Sequence, residues 1–270
     1  MIRWDGISDL ITRNLQSYAD TLDVRLRDLL TEILQRFIAG EDRLTVLEAG
    51  DYAGIGLDSN AVATTIQAAE IPTLVSVFLD NMPESVSNGD YANNQIIVGA
   101  STNYHVDIMG SFKVAAVNKE CEIQGYQISS VTTAITSITN ADPAVVTKVG
   151  HGLTGGERVF ITGVATMTEI NDQIYKVVRL NDDTFSLDAM DDTDIDATGY
   201  AGAGTGGTFA LANRLVNGCQ ECVSANKIYN ATDSTIGALT LGYKVMAFIL
   251  NEDSGDNVTV KYCHLKIHKA

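Results

Sequence analysis

The chain has 270 residues, 45% of them hydrophobic and 19% charged, with a formal net charge of -16. That acidity argues against a nucleic-acid-binding face, which needs clustered basic residues to displace counterions from phosphate. No run approaches 18 consecutive apolar residues, so no membrane-spanning helix is expected, and the 23 glycines with few charges suit β structure rich in turns.

The N-terminal stretch "MIRWDGISDLITRNL" lacks the apolar run of a signal peptide, so synthesis in a cytoplasm is expected, with the four cysteines reduced. Residues 5 to 39 then carry the one long helical signal. Ile7, Ile11, Leu15, Tyr18, Leu22, Leu26, Leu29, Ile33 and Phe37 recur at steps of three and four in an eleven-residue rhythm. That rhythm averages about 3.67 residues per turn and suits a straight or slightly right-handed bundle. A helix of this length spans roughly 50 Å at 1.5 Å per residue, and Gly40 supplies a C-terminal stop. Two readings stand: a self-associating stripe, or an amphipathic helix lying on its own domain. The first is favoured, because no other long helical pattern in the sequence offers it a partner.

From residue 43 the period changes to two. Tyr104, Val106, Ile108, Phe112 and Val114 alternate with polar or small residues, and so do Cys121 and Ile123. "YKVMAFILN" (243 to 251) and "NVTVKYCHLKIH" (257 to 268) are strand-like, and Gly, Asn and Asp clusters separate the runs. The pattern is that of an antiparallel sandwich. Residues 134 to 211 differ in texture. They are rich in Thr, Gly and Asp and hold their own strand signals, "AVVTKV", "RVFITGV", "IYKVVRL" and "DTFSLDA". Strand-like sequence in the earlier style resumes after them, so they read as a domain inserted into a loop of the sandwich.

Candidate chemistry is sparse. Cys219 and Cys222 form "CQEC", but a second Cys pair at zinc spacing is absent and no helix start follows as in a redox motif. On a strand, residues three apart point to opposite faces, so one ion could not take both. Cys121 and Cys263 fall in strand patterns and read as buried. His105, His151, His264 and His268 lie in no nucleophile or metalloprotease motif; His264 and His268 share one face of the last strand. In "DDTDID" (191 to 196), Asp192, Asp194 and Asp196 alternate as in an EF-hand. Ala197 stands where the loop glycine belongs and Ala203 where the bidentate glutamate belongs, so an EF-hand is rejected; weak calcium binding by the acidic loop stays open. "GAGTGG" (202 to 207) lacks the Lys-Ser/Thr pair and following helix of a phosphate loop and reads as a loop before "TFALA". "GHGLTGGERVFITG" (150 to 163) reads as a tight turn whose glycines permit positive φ, with His151 hydrogen-bonded inside it.

Two resemblances follow. The stretch from "ITNADPAVVTKVGHGLTGGERVFITGV" through "MTEIN" and "DTFSLD" to "GYAGAGTGGTF" resembles the small β-barrel related to the first catalytic-cysteine half-domain (FCCH-like) of ubiquitin-activating enzymes, a module common in bacteriophage structural proteins. It contains no cysteine, so the resemblance implies a structural module and not ubiquitin chemistry. The flanking "NYHVDIMGSFKVAAVNKECEIQGYQI" and "GALTLGYKVMAFILNEDSGDNVTVKYCHLKIHK" resemble a trimeric jelly roll of the C1q and tumour-necrosis-factor type, as in phage fibres and capsid decorations. Gly242-Tyr243 stands where that family often has Gly-Asp.

The expected fold is therefore mainly β: an antiparallel jelly-roll sandwich (43–133 plus 212–270) with an inserted small β-barrel (134–211) and a long N-terminal α-helix (1–42). The resemblances imply a bacteriophage virion protein made in the host bacterial cytoplasm, acting by binding on the particle surface. As a homotrimer it would decorate the capsid as a cement protein or head fibre, with the helix stripe as oligomer interface or capsid anchor. Its partners would be itself and the major capsid protein or another virion protein, with no nucleic acid or membrane. A tail-fibre or adhesin role against host-surface glycan or protein is the competing expectation. No catalytic residue, metal or cofactor is expected, and the protein is not expected to be an enzyme.

Overall fold

The computed structural model describes residues 52–57, 69–76, 80–81, 89–90, 93–253 and 257–270. The expected helix and its stripe (Ile7, Ile11, Leu15, Tyr18, Leu22, Leu26, Leu29, Ile33, Phe37) lie outside the described residues. Within them the chain is almost wholly β. The strands in order are β1 (Tyr52–Leu57), β2 (Thr73–Leu74), β3 (Asp80–Asn81), β4 (Gly89–Asp90), β5 (Gln95–Ile97), β6 (Thr102–Val114), β7 (Lys119–Ile128), β8 (Thr133–Ala134) and β9 (Ser137–Ile138). There follow β10 (Val145–Thr147), β11 (Arg158–Thr162), β12 (Gln173–Arg179), β13 (Thr184–Asp188), β14 (Gly204–Thr205), β15 (Thr208–Cys222), β16 (Tyr229–Leu239), β17 (Lys244–Asn251) and β18 (Val258–Lys269). The 3-10 turn Thr168–Ile170 joins β11 to β12.

Two sheets face each other. One runs β16-β6-β18-β1-β3 and the other contains β15-β7-β17-β5-β4. Counting β1, β5, β6, β7, β15, β16, β17 and β18 as one to eight, the sheets read six-three-eight-one and five-four-seven-two. That is the order of a jelly roll. The alternation on β6 drives it: Tyr104, Val106, Ile108, Gly110, Phe112 and Val114 are buried, while the residues between them face outward or are half-buried. They meet Cys121 and Ile123 of β7, Val245, Ala247 and Ile249 of β17, and Cys263, Leu265 and Ile267 of β18 in one apolar core. The open edges of the two sheets close on each other where Gly218 of β15 meets β16. A Cβ there would lie 2.9 Å from the Thr232 backbone nitrogen, so only glycine allows the approach.

Strands four and five of the roll, β7 and β15, are consecutive in it and stay in one sheet. Their connection holds a second structure. β15 pairs with β7 from Ala212 onward, and over Thr208–Ala212 it pairs with β11. From β11 the ring continues through β12, β13, β10 and β9. It closes where β9 pairs with β14 and β8 with the start of β15. The result is a small closed barrel, which leaves no free sheet edge within the ring. Its interior holds Val146, Val159, Ile161, Met167, Tyr175, Phe185 and Phe209.

The stretch 202–207, expected as a loop, is instead part of the barrel wall: Gly204 and Thr205 pair with Ile138 and Ser137. Gly207 follows with φ 78°, and a Cβ on it would sit 2.7 Å from the Val164 backbone nitrogen. The chain passes too close to its neighbour there for any side chain.

The barrel and the sandwich share a third apolar cluster. Phe160, Ile174, Ala210 and Ala212 pack with Tyr126, Ile128, Met246 and Phe248 of the sandwich sheet's outer face and with Leu74. Tyr126 and Phe160 both set an edge against Phe248, at ring separations of 5.3 and 5.7 Å. The short β2 also bridges the two, since Thr73 is the register partner of Gln173 on β12 and of Ile249 on β17. Among the described residues no helix is long and apolar enough to cross a membrane.

Candidate functional site

His151 is buried, and both ring nitrogens are used. Nδ1 accepts from the Leu153 amide at 3.0 Å, and Nε2 is 2.8 Å from the Asn181 carbonyl, to which it donates. The ring edge lies on Phe185. Glu157 closes the same turn. Burial alone would raise its pKa, but the Thr154 hydroxyl (2.5 Å), the Thr154 amide (2.8 Å) and the Gly155 amide (2.6 Å) hold its carboxyl below the ordinary glutamate value. The groove beside this turn, about 490 Å³, is flanked by an ion pair of Arg179 with Asp182. The histidine and the glutamate are thus committed to the turn, and neither is presented to a ligand.

The acidic loop does not converge either. Asp192 pairs with Lys176, Asp196 caps Thr198 through its amide (2.9 Å) and hydroxyl (2.6 Å), and Asp191 accepts from the Thr193 amide at 3.0 Å. Asp194 hydrogen-bonds with Asp188, so the alternating carboxylates of Asp192, Asp194 and Asp196, left open as a weak calcium loop, face different partners.

The histidines of the sandwich come together in a way that spacing in the chain did not reveal. His105 on β6 is the register partner of His268 on β18, and their rings stack at 4.6 Å with planes 5° apart. Asp107 Oδ2 lies 3.6 Å from His268 Nδ1. His264, on the same outward face, lines a shallow groove of about 540 Å³ with Asp107, Met109, Asp233, Ser234 and Lys266. Met109, Ile236 and Tyr262 are exposed on this sheet, at 48, 58 and 42%. The face is mixed, with apolar side chains set among histidine, lysine and aspartate.

The cysteines separate as strand geometry requires. Cys222 is buried in the sandwich core with Cys121 and Cys263, whereas Cys219 is exposed on the opposite face of β15. Burial lifts the Cys263 thiol to about 12. Burial raises Cys121 as well, with the neighbouring Cys222 thiol adding to the effect.

Cys219 lies in a cluster that no sequence motif announced. Its thiol donates to Glu120 Oε1 at 2.8 Å. The Cys219 sulfur and carboxylate oxygens of Glu120 and Glu252 lie within 4.8 Å of one another, the one such group of three among the described residues. Backbone bonds hold the frame: the Glu252 amide donates to the Glu120 carbonyl (2.9 Å), and the Glu120 amide donates to Asp253 Oδ2 (2.7 Å). Beneath them Glu122 accepts from Asn217 Nδ2 (2.8 Å) and from Gln124 Nε2.

The crowding of carboxylates has a cost. Burial, then the hydrogen bond with Glu122 and the charges of Glu122, Glu120 and Glu70, push the Glu252 carboxyl up to about 8. Burial and then Asp191 and Glu122 raise Glu70. Burial, Glu120 and the other glutamates push the Cys219 thiol up to about 12. The residues come from "KECEIQ", "CQEC" and "NEDSGD", the first two 99 positions apart and the last two 33 (Glu120, Cys219, Glu252), and only the β15-β7-β17 register brings them together.

The sequence matches no family model and no curated protein. Among solved structures the chain is similar to the Eiger TNF from S. frugiperda. Identity is 8%, 82% of this chain and 94% of that chain are covered, and the TM-score is 0.39. The jelly-roll assignment rests on the strand order of this chain itself.

Proposed function

We propose that the protein is a structural component of a bacteriophage particle, acting by binding and not by turnover: a homotrimer that decorates the capsid surface in the manner of a cement protein or head fibre. The observation that carries this reading is the outward face of the β16-β6-β18 sheet, where Met109, Ile236 and Tyr262 stand in solvent among polar side chains. Exposed apolar groups gathered on one sheet suit burial against another chain. The barrel fits as a spacer or outward projection of the FCCH-like type, pinned to the sandwich by the Phe248 cluster. The helix stripe from Ile7 to Phe37 would supply the stalk or the capsid anchor.

The tail-fibre or adhesin reading is weaker on one specific point. Glycan binding uses exposed aromatic faces, and within 134–211 Phe160, Tyr175, Phe185 and Phe209 are buried and Tyr200 is half-buried.

Light scattering on the purified full chain tests the oligomer: a mass of three 28.9 kDa chains is expected, and a monomer overturns it. Antibody labelling of purified particles from the bacterium that carries the gene tests the location. Label over the capsid is expected, label at the tail supports the adhesin reading instead, and unlabelled particles remove both.

A further inference from the structure

We propose that the concave face shared by the barrel wall and the sandwich sheet binds a small dianionic oxyanion of the phosphate class, held by Arg158, Arg214 and Lys244 with the Tyr126 hydroxyl. One register row crosses six neighbouring strands there: Asp188 on β13, Lys176 on β12, Arg158 on β11, Ala212 on β15, Ile128 on β7 and Lys244 on β17. Register partners point to the same side of a sheet, so all six share one face. Arg214 stands beside Tyr126 in the next row of that face. Phe160 and Phe248 share the face as well, on strands three spacings apart, which is about 14 Å in a flat sheet. Their rings are 5.7 Å apart, so the sheet bends inward over this face. Lys176, Arg158, Arg214 and Lys244 thus gather on one concave surface of a chain with only 18 basic residues and a net charge of -16.

Two buried donors on this face lack acceptors. Tyr126 is wholly buried, and its hydroxyl has no hydrogen-bond partner. It does not turn to the Gln124 Oε1 acceptor two residues along β7, which is itself unpartnered. Arg158 Nε is buried and unpartnered too. Burial pushes the Tyr126 hydroxyl up to about 12, and Arg158 and then Arg214 are the charges that oppose the rise, so both guanidinium groups lie within its electrostatic reach. The cations are short of counter-charge. Lys176 is committed to Asp192, and the carboxylate facing Arg214 is Glu122, with Oε2 4.0 Å from Nη1. Arg158 and Lys244 form no ion pair among the described residues. Buried donors without acceptors are costly, and an oxyanion would supply oxygens to both while it neutralises the cations. The guanidinium fork matches such an anion. Two unpaired cations and a third held only loosely favour a dianion over a monoanion. Ala212, between Arg158 and Ile128 in the row, keeps the floor low where the anion would sit.

Inorganic phosphate is the probe. Calorimetric titration of the full chain, at an ionic strength held constant with sodium chloride, should show one saturable equivalent of phosphate bound. The thermal midpoint should rise with phosphate to a plateau that chloride does not reproduce. Arg158→Gln and Arg214→Gln should each weaken binding by about tenfold or more, the loss of a charged hydrogen bond, while the far-ultraviolet circular dichroism stays native. Tyr126→Phe keeps the ring against Phe248 and should weaken binding about fivefold, the loss of one neutral hydrogen bond. Arg179→Gln removes a cation already paired with Asp182 and should leave binding unchanged. The proposal is overturned if phosphate shows no saturable binding or if acetate binds as tightly. It is equally overturned if a folded Arg158→Gln/Arg214→Gln double variant binds like the wild type, or if Arg179→Gln weakens binding as much as Arg158→Gln.

Discussion

The sandwich and the barrel reach stability by different means. The sandwich is built from long strands, up to the 15 residues of β15, and a core filled by alternate side chains. The barrel uses strands of two to seven residues. Much of its shape is held by side chains that bond backbone groups in its turns: His151 on Leu153, Glu157 on Thr154 and Gly155, and Asn171 on both the amide and carbonyl of Val164. Positive-φ glycines cluster there too, at 150, 152, 155, 156, 163, 202, 206 and 207. A sheet with long alternating strands needs little from its turns. A small barrel with short strands needs turn chemistry to set its closure. The shared Phe248 cluster then makes the two interdependent even though each has a core of its own.

The strongest way to break this comparison is to remove one side of it. Deleting residues 134–211 and joining the ends by a short turn should leave a folded sandwich of reduced stability. Tyr126, Ile128, Met246 and Phe248 lose their cover, at about 1.5–3 kcal/mol for each large side chain fully uncovered. Denaturant unfolding should keep one cooperative transition at a lower midpoint. Loss of cooperativity would mean that the sandwich depends on the barrel for its fold.

Gly207→Val attacks the barrel alone. Its positive φ and the nearby Val164 backbone should make the change cost about 2–4 kcal/mol. Hydrogen exchange should show protection lost first on β9, β11 and β14, with β6 and β18 still protected. Equal loss in both would show that the Phe248 cluster couples them more tightly than their separate cores suggest.

A smaller effect belongs to the sandwich end. Burial and the neighbouring glutamates raise Glu252 from the ordinary 4.5 to about 8. The folded state therefore keeps a proton there that the unfolded chain has released. Stability from this group is complete below about pH 4.5 and is lost as pH climbs toward 8; Glu70, also raised, has the same sign. In chelator-treated buffer, Glu252→Gln should flatten the fall in thermal midpoint between pH 5 and 8.5. An unchanged slope would place the repulsion elsewhere.

The smallest effect on the fold is expected from Ile236→Asp. Ile236 is exposed on β16, so the change should alter the stability of the isolated chain by no more than about 0.5 kcal/mol. It should nevertheless lower the mass seen in light scattering if the β16-β6-β18 face is buried between copies. An unaltered oligomer would move the interface off this sheet.

Legibility in the sequence followed the same divide. β6 and β18 could be read from alternation because one face of each is packed and the other is more open, which is what period two records, whereas β17, buried on both faces, showed as a nearly continuous apolar run. β10, β11, β12 and β13 also carried strand signals. The ring closure through β8, β9 and β14 did not, because strands of two residues are too short to show a period. The glycines of 202–207 read as a loop for the same reason. What they report is close backbone approach, and that is visible only once Val164 is beside them.

Composition and period by themselves determined a β-rich acidic chain, strands β6, β7, β17 and β18 of the sandwich, the turn at 150–157 and the opposite facing of Cys219 and Cys222. These are local properties, set by side-chain direction along a strand and by the backbone freedom of glycine. Only the tertiary structure decided the jelly-roll order, the stacking of His105 on His268 and the meeting of Glu120, Cys219 and Glu252. Each depends on which strands become neighbours and in what register. Two residues about a hundred positions apart in the chain acquire a common chemistry only when hydrogen-bonded strands set them side by side.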